Sequence, residues 1–228
     1  MESSPIKILI ADDEPDIVEI ISFHLEKAGY IVASAKDGSE AIEKVKQFQP
    51  DCIILDIMMP KMDGVEACRQ IRAMPELVNT FIIFLTARTE EYSEIAAFDG
   101  GADDYIQKPI KPRALMSRIS ALFRRDSKKK NESSQIKVGD LIIDRSSYTI
   151  KVKGREVSLP KKEFELLFFL AQNPNKVFNR DELLQNIWGS DVYVLARTVD
   201  VHIRKVREKI GEDYISTVKG VGYKFNLG

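Results

Sequence analysis

Residues 6–35 read IKILIADDEPDIVEIISFHLEKAGYIVASA, a short apolar run, a helical pattern and a second apolar run. The runs Ile6 to Ala11 and Ile31 to Ala35 are too continuous for half-exposed strands, and they read as central parallel strands covered on both faces. Between them, Asp16 to Lys27 carries the periodicity of a helix. The order strand, helix, strand is a βαβ unit.

Working outward, the same unit recurs. Further apolar runs occupy Cys52 to Leu55, Phe81 to Leu85 and Tyr105 to Ile106. Helical patterns fall near Ser39 to Phe48, Gly64 to Met74, Glu90 to Asp99 and Pro112 to Arg125. Five strands alternating with five helices predict an α/β domain, doubly wound and flavodoxin-like, over residues 1–125. The next segment, DSKKKNESSQ at 126–135, has no apolar residue to offset the entropy of ordering it, and is expected to be a flexible linker. From Ile136 to Leu159 short β-like runs are broken by Gly139, Ser146, Ser147 and Gly154, which suggests a small antiparallel sheet. Helical patterns follow at Lys161 to Gln172, Arg180 to Trp188 and Arg197 to Ile210. The segments Tyr214 to Val218 and Tyr223 to Phe225 then read as a hairpin about a Gly220-Val221-Gly222 turn. Residues 136–228 thus form a second, smaller α+β domain.

Composition agrees with two soluble domains. The chain has 228 residues, 44% hydrophobic and 30% charged, enough for a core in each half. No stretch approaches the roughly 18 to 20 apolar residues of a membrane span, and Met1 to Pro5 lacks the regions of a signal peptide, so a cytoplasmic protein with no membrane partner is expected. Cys52 and Cys68 lack metal-ligand spacing and read as reduced thiols. The net charge of −1 hides an asymmetry. Met1 to Arg125 carries 15 Lys+Arg against 21 Asp+Glu, whereas Asp126 to Gly228 carries 19 against 14. Only the second half has the charge to suit nucleic acid.

In an open parallel sheet, ligands bind beyond the carboxyl ends of the strands. The residues there are Asp12 and Asp13 after the first strand, Asp56 after the third, Thr86 after the fourth and Lys108 after the fifth. Three converging carboxylates resist joint ionisation unless a cation lies among them, and a hard oxygen set of this kind suits Mg²⁺. Asp56 is then a nucleophile toward a phosphoryl group, with Mg²⁺ and Lys108 neutralising its oxygens. Thr86 offers a hydroxyl to a phosphoryl oxygen, and Tyr105 lies on the neighbouring strand. Singly, each residue reads as a helix cap, a strand-end hydroxyl or a surface charge. Jointly, those readings require five coincidences at one end of one sheet.

The motifs DD at 12–13, LDIMMPKMDG at 55–64, LTA at 85–87 and GADDYIQKPI at 101–110 resemble the receiver domains of two-component response regulators. The resemblance implies that a sensor histidine kinase phosphorylates Asp56. It also implies that Asp13, Asp56 and the backbone carbonyl of Met58 bind Mg²⁺, with Asp12 helping through its water shell. Thr86 and Tyr105 would be a switch pair, and the Lys108-Pro109 bond would be cis.

In the second half, Val199, Ile203, Val206 and Ile210 make one buried stripe on a helix. The opposite face presents Arg197, Val201, Arg204, Lys205 and Glu208, flanked by Thr198, His202 and Arg207. A charged face alone is usually just solvated. Here a short helix precedes it and a hairpin with Lys219 follows, and such a helix fits the DNA major groove. His202 has no second ligand at suitable spacing and His24 belongs to the other domain, so zinc is discarded. Trp188, Phe164, Leu167 and Phe168 are expected in the core.

The segments RTVDVHIRKVREKI at 197–210 and TVKGVGYKF at 217–225 resemble the winged-helix effector of the OmpR/PhoB family. The resemblance implies that Arg197, Thr198, Val201, His202, Lys205 and Arg207 face double-stranded DNA and that Lys219 reaches the adjacent minor groove or its phosphates. Gly189 to Ala196 would touch RNA polymerase. It further implies a homodimer through the fourth helix, fifth strand and fifth helix of the receiver, with Asp104 and Arg118 as one cross-subunit pair. The chain departs from the family where Glu94 stands at a usually basic position and Ala114 at a usually acidic one, and where Lys205 and Lys219 replace frequent arginines. The expected function is a phosphorylation-switched regulator of transcription. Its rivals are a phosphotransferase, against which the lack of a second catalytic acid counts, and a regulator that binds DNA regardless of phosphate.

Overall fold

The computed structural model describes residues 5–86, 100–129, 135–189 and 196–227. The expected helix at Glu90 to Asp99, Glu94 with it, lies outside the described residues. The chain divides into two compact units, Met1–Ser120 and Ala121–Gly228.

In the first unit β1 (Lys7–Ala11), β2 (Ile31–Ala35), β3 (Cys52–Asp56), β4 (Phe81–Thr86) and β5 (Asp104–Gln107) form a parallel sheet of order β2-β1-β3-β4-β5. The strands are joined through α1 (Pro15–Lys27), α2 (Gly38–Phe48) and α3 (Gly64–Arg72), and α4 (Pro112–Lys129) follows β5. Not every strand is central, as their apolar sequences suggest. All of β3 and β4 is buried, but β2 is an edge strand with Ile31 42% exposed, because a parallel sheet has two rims wherever its strands are equally apolar. Pro15 opens α1 at its first position, where the missing N–H costs no helical bond. Asp37 and Asp63 cap α2 and α3 by accepting from the N–H of Glu40 and Glu66.

Helix α4 continues to Lys129, four residues into the stretch read as linker, and β6 begins at Gln135. Polarity does not end a helix once it is nucleated, and 126–135 contains no Gly or Pro to stop one.

The second unit opens with an antiparallel sheet of β6 (Gln135–Val138), β7 (Leu141–Asp144), β8 (Thr149–Val152) and β9 (Arg155–Val157). Helices α5 (Lys161–Gln172), α6 (Arg180–Ile187) and α7 (Thr198–Ile210) follow, then the hairpin β10 (Ile215–Val218) and β11 (Gly222–Phe225). Helix α7 packs on α5 and α6 around Trp188, Phe164, Leu167 and Phe168, all essentially fully buried. A capping box of Asn179 and Glu182 starts α6. Just before it, Phe178 and Tyr223 exchange two backbone hydrogen bonds of 2.9 Å, which ties the hairpin to the entry of α6. A Cβ on Gly222 would lie 1.9 Å from the Phe178 carbonyl oxygen, so only glycine allows this approach.

Candidate phosphoacceptor site and nucleic-acid interface

Adjacent strands β1 and β3 lie where the strand order reverses, and their carboxyl ends deliver Asp12, Asp13 and Asp56 to one crevice. Carboxylate oxygens of these three residues lie within 4.8 Å of one another. Asp12 and Asp56 are buried and Asp13 is exposed, giving the cluster one open side. At the helix start Asp12 Oδ1 accepts from the N–H of Glu14 at 3.0 Å, while Glu14, the N-cap of α1, makes no side-chain cap bond of its own.

Lys108 follows β5, is joined to Pro109 by a cis bond and anchors its own N–H on the Thr86 carbonyl at 2.7 Å. Its ammonium meets three carboxylates, Asp56 at 2.7 Å, Glu14 at 2.8 Å and Asp12 at 2.9 Å. Burial works against that ammonium, but hydrogen bonds to Asp56, Glu14 and Asp12 outweigh it and raise its pKa above the ordinary lysine value. Burial also lifts the Asp12 carboxyl above its usual range, against the lowering effect of the Glu14 N–H and Lys108. One ammonium facing four carboxylates leaves the cluster short of positive charge. The donor set therefore fits a hard divalent cation.

Asp56 holds its position through both oxygens: Oδ1 accepts from the Met58 N–H at 3.2 Å and Oδ2 takes Lys108. Thr86 ends β4 and is buried, and Tyr105, opposite Phe84 on β5, is 9% exposed. Asp12, Asp13, Asp56, Thr86 and Lys108 thus share one end of the sheet, with Met58 beside them. Glu14 is the member that sequence reasoning passed over. Its signal was its place directly after Asp12 and Asp13 in the same strand-end loop.

Asp104 and Arg118 meet within one chain. The Arg118 Nη1 lies 3.4 Å from the Asp104 carboxylate and donates to the Tyr105 carbonyl at 2.9 Å.

In the second unit Arg197, Arg204 and Lys219 are exposed, and Val201 and Lys205 are half-buried. Two expected DNA-facing residues are not on that surface. Thr198 and His202 are 3% and 2% exposed, and the His202 ring packs against Trp188 at 5.0 Å. The buried arc of α7 is wider than one stripe, because α5 and α6 both press on it and cover the 198, 202, 206 row as well. Arg207 is half-buried, and its guanidinium turns to the hairpin, donating to the Ile215 carbonyl at 2.7 and 3.0 Å and to Thr217 Oγ1 at 2.9 Å. Of the expected loop at Gly189 to Ala196, residues 190–195 lie outside the described residues.

Residues 8–120 match the family described as response regulator receiver domain, and residues 154–225 match the one described as transcriptional regulatory protein, C terminal. The chain is 41% identical to the transcriptional regulatory protein ResD of Bacillus subtilis (strain 168) over 239 residues, covering 100% of this chain and 98% of ResD. Among solved structures, it is similar to the response regulator DrrB of Thermotoga maritima, an OmpR/PhoB homologue, at 35% identity, with 97% of this chain and 99% of that one covered and a TM-score of 0.51. It is also similar to a cysteine-to-aspartate mutant of RitR, at 27% identity over 98% and 100% of the two chains, with a TM-score of 0.75. Among the described residues no helix is long and apolar enough to cross a membrane.

Proposed function

Because the chain belongs to the OmpR/PhoB family of response regulators, in which a receiver is joined to a DNA-binding effector, we propose that Asp56 is its phosphoacceptor and that Arg197, Val201, Arg204, Lys205 and Lys219 read DNA. It is a phosphorylation-activated regulator of transcription and not an enzyme of the usual kind, and its partners are a histidine kinase and DNA. The observation that carries the site assignment is the convergence of Asp12, Asp13, Asp56 and Lys108 at the point where the strand order reverses.

An Asp56 carboxylate oxygen attacks the phosphorus held on a kinase histidine. The P–O bond to Asp56 forms as the P–N bond breaks, and the electron pair leaves with the imidazole. Lys108 neutralises charge on the transferred oxygens, and the Thr86 hydroxyl donates to one of them, drawing in the end of β4 beside Tyr105. Asp12, Asp13, Asp56 and the Met58 carbonyl would hold Mg²⁺, which when bound supplies further charge neutralisation to the phosphoryl group. Self-phosphorylation from small phosphodonors and slow self-dephosphorylation follow from the same groups. The receiver would occupy 1–125 and the effector 136–228 of a cytoplasmic protein, with 126–135 connecting them. The phosphorylated receivers would pair through the fourth helix, fifth strand and fifth helix, with Asp104 and Arg118 exchanging their contact within one chain for one across the dimer. RNA polymerase would meet the 189–196 loop.

The full chain is expected to bind duplexes selected from random DNA more tightly after treatment with acetyl phosphate and Mg²⁺, and omission of Mg²⁺ should remove the gain. Equal affinity before and after treatment would sink the switch. Lys205→Ala should weaken binding to the selected duplex by about 1 to 3 kcal/mol if the ammonium reads a base. An unaltered footprint would take Lys205 out of the readout set.

A further inference from the structure

Three elements of the DNA-binding unit converge on Asp200, an acidic residue on the otherwise basic helix α7. Arg180, the first residue of α6, donates from Nε to Asp200 Oδ1 at 2.7 Å. The Tyr223 hydroxyl of β11 donates to the same oxygen at 2.6 Å. The two donors also lie together, with Arg180 Nη2 3.5 Å from the Tyr223 oxygen. Tyr223 is 5% exposed and its ring has two guanidiniums close to it, with the Arg180 Cζ 5.4 Å and the Arg207 Cζ 5.7 Å from its centroid. Arg207 in turn holds the Ile215 carbonyl and Thr217 of β10.

A hairpin with two four-residue strands is marginal by itself and takes its orientation from what it packs against. Here that support is an ionic and aromatic junction, reinforced by the paired backbone bonds between Phe178 and Tyr223. The carboxylate of Asp200 would repel phosphate if left alone. Arg180 compensates it from a different helix, and the compensation therefore also fixes where α6 and β11 lie relative to α7.

We infer that Arg180, Asp200 and Tyr223 are positioning residues for DNA recognition, whose shared hydrogen bonds set the place of the Lys219 tip relative to Arg204 and Lys205. The inference rests on the DNA-reading surface proposed above. None of the three needs to touch DNA. Their work is to make the tip and the helix act at a fixed spacing, so that contacts in two grooves form together.

Two measurements on the full chain test this. Burial, and then the bond to Asp200, push the Tyr223 phenol up to about 12. An ultraviolet titration of the seven tyrosines should therefore show a late ionising group in the native chain. In Asp200→Asn that group should ionise at lower pH, with burial alone still holding it above an ordinary phenol. Burial raises the Tyr214 phenol as well, so the Tyr223 group is assigned by its loss in Tyr223→Phe, and an assigned group unmoved by Asp200→Asn overturns the junction. The second measurement is a double-mutant cycle on a selected duplex. Lys219→Ala should weaken binding severalfold in the native chain and by much less in a Tyr223→Phe background, where the ring remains and only its hydroxyl is gone. Equal effects of Lys219→Ala in both backgrounds overturn the positioning role, and a matching urea midpoint for Tyr223→Phe excludes general unfolding as the cause. Failure of the native chain to bind any duplex refutes the DNA reading and the positioning role with it, while the titration, which involves no DNA, still judges the junction.

Discussion

Asp56→Ala is expected to take up no acid-labile phosphate from acetyl phosphate and Mg²⁺, and its DNA affinity should not rise on treatment. The substitution removes the nucleophile and leaves its surroundings in place, because Lys108 keeps Glu14 and Asp12 as partners. Loss of labelling should therefore come with a folded receiver, seen as a retained thermal transition. Persistent labelling would move the acceptor to another residue. Thr86→Ala separates acceptance from response: it should still be labelled, because it keeps Asp56, but should show a smaller gain in DNA affinity.

Gly64→Ala is expected to be the most damaging single methyl in the receiver. A Cβ there would lie 2.0 Å from the Asp56 carbonyl oxygen and 2.9 Å from its carbon. The obstacle is backbone, so no side-chain rotation relieves it. The Gly64 N–H also bonds the Ile57 carbonyl at 2.9 Å, which holds the start of α3 against the end of β3. Overpacking of this kind costs about 1 to 3 kcal/mol or more, and each kcal/mol lowers the midpoint of a domain this size by roughly 4 °C. A shift of the Asp56 backbone that relieves the clash displaces the acceptor, and a misplacement of ~1 Å is enough to slow a reaction about a hundredfold. Calorimetry and the labelling rate should both change, while binding of unphosphorylated protein to DNA is preserved. A native midpoint with native labelling would show that the loop yields without cost.

The five-strand unit and the place of its site were legible because a parallel sheet writes its strands as apolar runs and leaves its chemistry just past them. That rule alone points to Asp12, Asp56, Thr86 and Lys108, which the structure brings to one end of the sheet. Three features were not legible, each for a physical reason. Ile31 is as apolar as Ile53, and only the strand order reveals that one lies at a rim and the other at the centre. His202 and Thr198 flank the face opposite the apolar stripe, and the family resemblance put them toward DNA, but two helices press on α7 and bury them. The end of α4 at Lys129 could not be read from polarity, since a solvated helix and a solvated coil use the same residues. On the DNA-binding unit, the accessible Arg197, Arg204 and Lys219 were legible from helical phase and hairpin position. Arg207 was assigned to DNA on the same grounds, but its planar donor fork found carbonyl and hydroxyl acceptors on the hairpin first.

The three carboxylates around Lys108 have a consequence for what an incoming phosphoryl group would meet there. An ammonium has three hydrogens to donate, and Asp56, Glu14 and Asp12 offer it three acceptors. A phosphoryl oxygen that reaches this nitrogen therefore enters by exchange, turning one carboxylate out, and Glu14 is the most exposed of the three at 59%. The same carboxylate stands ready to return when the phosphoryl group departs. Arrival and departure would then trade one charge-assisted bond for another of the same kind, so the ammonium would keep three partners whether or not Asp56 carries a phosphoryl group.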